Sequence, residues 1–140
     1  MYKQKFLIIF LMLILLGCTK NTLQNSKSLK NDTILLEKYE SWGPCPNESF
    51  KCYLSTKLYY SGKLVLDGDN TTQKQLDKNS VDKIIAQIKQ SQIMDKDCSA
   101  SIVLDYGATY RLNINGHKKS INFPGCENDL SKIDDLIKTS

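Results

Sequence analysis

Four cysteines in the body of this 140-residue sequence, its one histidine and its one tryptophan are the side chains best suited to chemistry. Cys45, Cys52, Cys98 and Cys126 could gather a metal ion or oxidise in pairs. A zinc site would draw on all four, but no Cys-x-x-Cys pair is present. Trp42-Gly43-Pro44-Cys45 ends like a redox-active dithiol motif, yet the attacking cysteine that should follow Trp42 is missing, and no helical pattern begins at Pro44 to lower a thiol pKa. A proline-locked turn is the simpler reading. His117 could act as an acid or base with Asp105 or Asp67, but no Gly-x-Ser-x-Gly nucleophile motif is present to complete a triad. Asp67-Gly68-Asp69-Asn70 opens like a calcium loop; its twelfth position is Lys78 where a bidentate Glu is needed, and Thr71 stands fifth. These residues are read as solvated carboxylates at a hairpin exit. The expectation is therefore no catalytic residue, no metal and no soluble cofactor.

Positioning begins at the N-terminus. Lys3 and Lys5 precede an unbroken apolar run from Phe6 to Leu16, the charged and hydrophobic regions of a secretory signal peptide. At 1.5 Å per residue the run reaches about 16 Å, roughly half a bilayer core, so a permanent span is not expected. It ends in Leu15-Leu16-Gly17-Cys18, which resembles the lipobox of bacterial lipoproteins. That resemblance implies a diacylglyceryl group on the Cys18 thiol, cleavage after residue 17 and acylation of the new amine. Two or three acyl chains, at about 0.8 kcal/mol per buried methylene, hold a protein durably where one does not. Thr19 is not an aspartate, which by resemblance to known sorting implies the outer membrane where the source has two.

Residues 18–32 are rich in Ser, Asn, Thr and Lys without periodicity and read as a flexible tether with an r.m.s. reach of about 20 Å. The formal charge of +4 resides in residues 1–32, and the 14 Lys/Arg and 14 Asp/Glu that follow cancel. A neutral body with Arg111 as its sole arginine excludes a nucleic-acid groove.

Residues 33–140 read as one α+β domain. A first strand is expected at Ile34 to Tyr39. A hairpin follows from Cys52 to Tyr60 and Lys63 to Leu66, around Ser61-Gly62. Val81, Ile84, Ile85 and Ile88 predict a helix over about 80–91 capped by Ser80. Ala108, Tyr110, Leu112 and Ile114 alternate toward Asn115-Gly116, a turn pair, and His117 to Phe123 returns. Pro124-Gly125 stops that strand, and Asn128 or Asp129 opens a last helix with Leu130, Ile133, Leu136 and Ile137 inward. Ser101 to Tyr106 fits a strand or a packed loop. The expected architecture is an antiparallel sheet of about five strands with two helices on one face.

Export makes Cys45, Cys52, Cys98 and Cys126 two disulfides in one of three connectivities. Cys45–Cys52 and Cys98–Cys126 are favoured. In the loop-entropy model they stabilise by roughly 2.5 and 3.6 kcal/mol.

Gly43-Pro44-Cys45-Pro46, then Tyr59-Tyr60-Ser61-Gly62-Lys63-Leu64-Val65 and Gly68, resembles a family of small bacterial envelope domains of unknown function. Its members carry a Gly-x-Cys-Pro turn, two hairpins and two helices, many behind a lipobox. Many also have a second cysteine just before that turn, where this chain has Ser41-Trp42. The resemblance implies a fold and a location, with no activity. Together these readings lead to the expectation of a lipid-anchored, disulfide-braced binding module without enzymatic turnover. Its partner would be an envelope protein and its recognition loop Trp42, Gly43, Pro44 and Pro46; an inhibitor of a lysozyme or protease is the alternative, followed by an unrecognised hydrolytic enzyme using Asp105 or Asp67 with His117. Whether Trp42 is buried or exposed is left open.

Overall fold

The computed structural model describes residues 33–45, 51–100 and 106–140. The signal segment, Cys18, the tether, Pro46 and Asp105 lie outside the described residues, as do the assignments made for Ser101 to Asp105. Six strands form one sheet: β1 (Ile34–Trp42), β2 (Tyr53–Tyr59), β3 (Lys63–Asp67), β4 (Thr71–Gln75), β5 (Tyr106–Ile114) and β6 (His117–Asn122). Their order is β4-β3-β2-β1-β5-β6, and every neighbouring pair is antiparallel. Among the described residues two helices complete the α+β fold, α1 (Lys78–Gln90) and α2 (Glu127–Lys138).

The sixth strand corrects the expectation of about five. β4 is Thr-Thr-Gln-Lys-Gln with every side chain exposed. Alternation is a signal only where one face is buried, so a strand polar on both faces sends none. The segment after Asp67 is thus a turn between two strands. Asp67 Oδ1 accepts from Thr71 Oγ1 at 2.9 Å, and Asp69 Oδ1 accepts from the Lys51 N–H at 2.9 Å. β1 also runs three residues further than Tyr39, because β2 and β5 flank it on both sides as far as Trp42 or its neighbour.

The register sorts the side chains by face. Leu36, Lys38, Glu40 and Trp42 lie opposite Leu58, Thr56 and Leu54 of β2, and opposite Leu112, Tyr110, Ala108 and Tyr106 of β5. On this face Leu36, Leu58, Leu64, Leu112 and Ile121 are buried. They share one core with Val81, Ile84 and Ile88 of α1 and Leu130, Ile133 and Ile137 of α2. A register shift between Ile34 and Leu36 turns Leu35 into that core as well. Each fully buried Leu or Ile adds about 1.5–3 kcal/mol relative to exposure. Among the described residues, no strand residue on the opposite face is buried.

Local capping differs from the expectation at both helices. Ser80 does not cap α1; Asp77 does, its Oδ1 accepting from the Ser80 N–H at 2.7 Å. α2 starts at Glu127, ahead of Asn128, because Cys126 turns the chain with a left-handed φ of 52°. Just before it, a Cβ on Gly125 would lie 2.0 Å from the Cys98 carbonyl oxygen, so only glycine permits the approach of these two segments.

The sheet has two unlike ends. One holds the chain's entry at Thr33 and the hairpin tips Ser61-Gly62 and Asn115-Gly116. There Tyr60 Oη donates to the Asn113 carbonyl at 2.7 Å and accepts from the Asn115 N–H at 3.1 Å, joining the two hairpins. The other end holds Trp42, Tyr53, Tyr106 and Asn122. Along β1 the two ends are about 26 Å apart at strand rise.

Candidate functional site

Lys38 and Glu40 alternate with Trp42 on the covered face of β1, so a stripe of polar side chains leads from the apolar core to the sheet's end. Lys38 Nζ donates to Asp134 Oδ2 of α2 at 2.6 Å and lies 2.9 Å from Glu40 Oε1. Tyr110 Oη donates to the same Asp134 oxygen at 2.8 Å, and Tyr106 Oη donates to Glu40 Oε1 at 2.7 Å. The lysine side chain is only 11% exposed. Burial acts to lower its pKa, but the hydrogen bonds and charges of Asp134 and Glu40 outweigh this and raise it. Burial, then the bond to Glu40, pushes the Tyr106 phenol up to about 12. Burial and Asp134 push the Tyr110 phenol higher still.

A lysine held protonated is neither a base nor a nucleophile, since either role needs a lowered pKa. Both carboxylates are occupied, and among the described residues no buried side-chain nitrogen or oxygen lacks a partner. The cluster is therefore a clamp that holds α2 to β1 and β5. Sequence reading overlooked it. One signal was present: with Leu130, Ile133 and Ile137 inward, position 134 falls on the same helical stripe, so Asp134 had to enter the core and find a cation.

The end of the sheet beyond the clamp is cross-linked. Cys45 is bonded to Cys52 and Cys98 to Cys126, with Cα separations of 5.6 and 5.1 Å, the favoured pairing. The Trp42 N–H donates to the Cys52 carbonyl at 3.1 Å, fixing the strand end beside the first disulfide. Tyr106, opposite Trp42 in register, packs edge-on to Phe123 at 5.3 Å, near the second. Trp42 is 46% exposed, which answers the open question: the indole is no core residue. On the other face, Tyr39 is 45% exposed and stacks on Tyr53 at 5.7 Å, with Lys51 Nζ 5.6 Å from the Tyr53 ring centroid. Tyr39 and Trp42 are the large apolar side chains exposed among the described residues.

The remaining candidates are not brought together. Asp67 ends β3 near Tyr53, whereas His117 begins β6 at the Asn115-Gly116 tip, at the far end of the sheet. Among the described residues no three His, Cys, Asp or Glu side chains gather as metal ligands would. A shallow groove of about 270 Å³ crosses the open face over Lys57, Tyr59, Lys63 and Val65. Beside it Glu37 is shared by Lys57 at 3.5 Å and Arg111 at 3.0 Å.

Two outcomes follow for the purified protein. Trp42→Ala should change unfolding free energy by less than about 1 kcal/mol in a denaturant titration, against about 3–5 kcal/mol for a buried ring. Alkaline titration should destabilise the fold. Lys38 and Tyr106 keep their protons to higher pH folded than unfolded, so the stability they support is present below about pH 10 and lost as pH rises through the folded values. Urea midpoints should therefore hold from pH 7 to 9 and fall above pH 10, less steeply in Tyr106→Phe. A slope unaltered by that variant would contradict the assignment.

Comparison with protein-family models found no match, and comparison with curated proteins found none.

Proposed function

We propose that this chain is a lipid-anchored binding module of the bacterial cell envelope, acting without turnover and presenting its Trp42 end to an envelope protein. The observation that carries this reading is the half-exposed indole of Trp42 at the disulfide-linked end of the sheet. The chain enters the domain at the opposite end, through Thr33 and Ile34. β1 itself separates that entry from Trp42 by about 26 Å.

Recognition by such an end is physically economical. An aromatic anchor is a common centre of binding energy, and affinity suffers when side chains and loops must be ordered on binding. Trp42 is already placed by its pairing with Tyr106 and by the bond to Cys52, and Gly43 and Pro44 lead directly into Cys45. Tyr39 and Tyr53 extend the apolar area around the edge of the same end. The signal pattern with its lipobox supports export and lipidation, to the outer membrane in a cell that has two. The neutral body supports a partner other than nucleic acid.

Fractionation and capture test the two halves. Cys18→Ser should move the protein from the membrane to the soluble fraction, and mass spectrometry of the native protein should find acyl chains on an N-terminal Cys18. Trp42→Ala should stay membrane-bound and folded yet lose at least about tenfold in cross-linked partner recovered from intact envelopes. Undiminished capture by that variant would overturn the recognition role, and an unchanged membrane fraction for Cys18→Ser would overturn the anchor.

A further inference from the structure

The two edges of the sheet are unlike. β6 presents His117, Lys118 and Lys119 in a row, and Lys119 Nζ reaches the carbonyls of Met94 and Lys96, which brings that turn against the edge. Consecutive cations and a covering loop are ways in which proteins prevent edge pairing. β4 shows neither. It carries one charge, Lys74, has no proline, and keeps an unbroken register from Lys63↔Gln75 to Asp67↔Thr71.

One hydrogen bond orients its backbone. The Leu76 N–H donates to the Gly62 carbonyl at 2.9 Å, which makes Gly62 and Leu76 a hydrogen-bonded pair. Such pairs alternate along an antiparallel ladder, so Lys74 and Thr72 also face β3. Thr71, Gln73 and Gln75 therefore direct their N–H and C=O groups away from β3, to the side where no described strand pairs.

We propose that β4 is a self-association edge, pairing antiparallel with β4 of a second copy about a two-fold axis at Gln73. Gln73 exchanges both backbone hydrogen bonds with its counterpart, and Thr71 and Gln75 do so with each other, for about six bonds in all. The charges choose this occupant. Lys74 stands opposite Thr72 of the second copy, so no like charges meet. The row through Gln75 and Thr71 has Lys63 at one end and Asp67 of the second copy at the other, opposite in sign. Side chains opposed across the seam are Gln–Gln, Thr–Gln and Thr–Lys, all able to hydrogen-bond.

The test uses full-length protein in detergent and two single variants, Thr72→Cys and Lys74→Cys. In the proposed register these positions form a non-hydrogen-bonded pair about 4.5 Å apart at Cα, within disulfide reach. Mixed under mild oxidation, the two should give roughly tenfold more linked dimer than either gives alone, since identical positions lie diagonal to the axis. Adding Gln73→Lys to both places two ammonium groups across the axis and should abolish the link. Gln73→Pro should do the same with unchanged melting, because the N–H it removes is one β3 does not use. Absence of dimer from the mixture, equal yields from mixed and single samples, or a link that survives Gln73→Lys would each overturn the proposal.

Discussion

Lys38 stands between two carboxylates on the covered face of a central strand, and the seat of α2 depends on it. Hydrophobic burial alone is non-directional: Leu130, Ile133 and Ile137 would be satisfied by any apolar surface of the right size. A nearly buried ammonium is not. It must meet Asp134 and Glu40 at hydrogen-bond distance or remain uncompensated, and removing one partner of such a pair costs about 3–5 kcal/mol. Its net contribution to stability over an apolar substitute is small. What it supplies is a fixed register of helix on sheet, reinforced by Tyr110 on the same Asp134 oxygen.

Fixing α2 fixes what precedes it. The helix begins directly after Cys126, and Cys126 is tied to Cys98 in a segment where Gly125 allows close approach. Clamp, helix start and disulfide thus form one chain of constraint ending at Phe123 and Tyr106, the ring pair next to Trp42 in the sheet. The Cys45–Cys52 disulfide acts from the other side, through the bond from the Trp42 N–H to the Cys52 carbonyl. Both disulfides therefore lie at the end of the sheet that exposes its tryptophan.

Much of this was legible where a residue pattern had one buried face. The α1 stripe, the Asn115-Gly116 hairpin and the inward side of α2 follow from apolar periodicity, and both disulfides follow from an even number of cysteines with two local pairings. β4 was illegible because its five polar side chains alternate between two wet faces. The last third of β1 was obscured by Glu40 and Ser41, whose strand conformation is imposed by neighbours on both sides. The clamp was hidden because charged residues read as solvated faces until a tertiary partner is known. Trp42 was identified as the residue of interest, but its exposure depends on where the covering helices stop, a property of three-dimensional packing.

Recognition through the cross-linked end is tested most directly by contact. A photoreactive side chain placed at Trp42, and in a second variant at Gly116 on the opposite end, should report what each end touches in intact envelopes. The expected result is one discrete cross-linked partner from position 42 and none from position 116. A partner captured equally from both positions, or from position 116 alone, would contradict it.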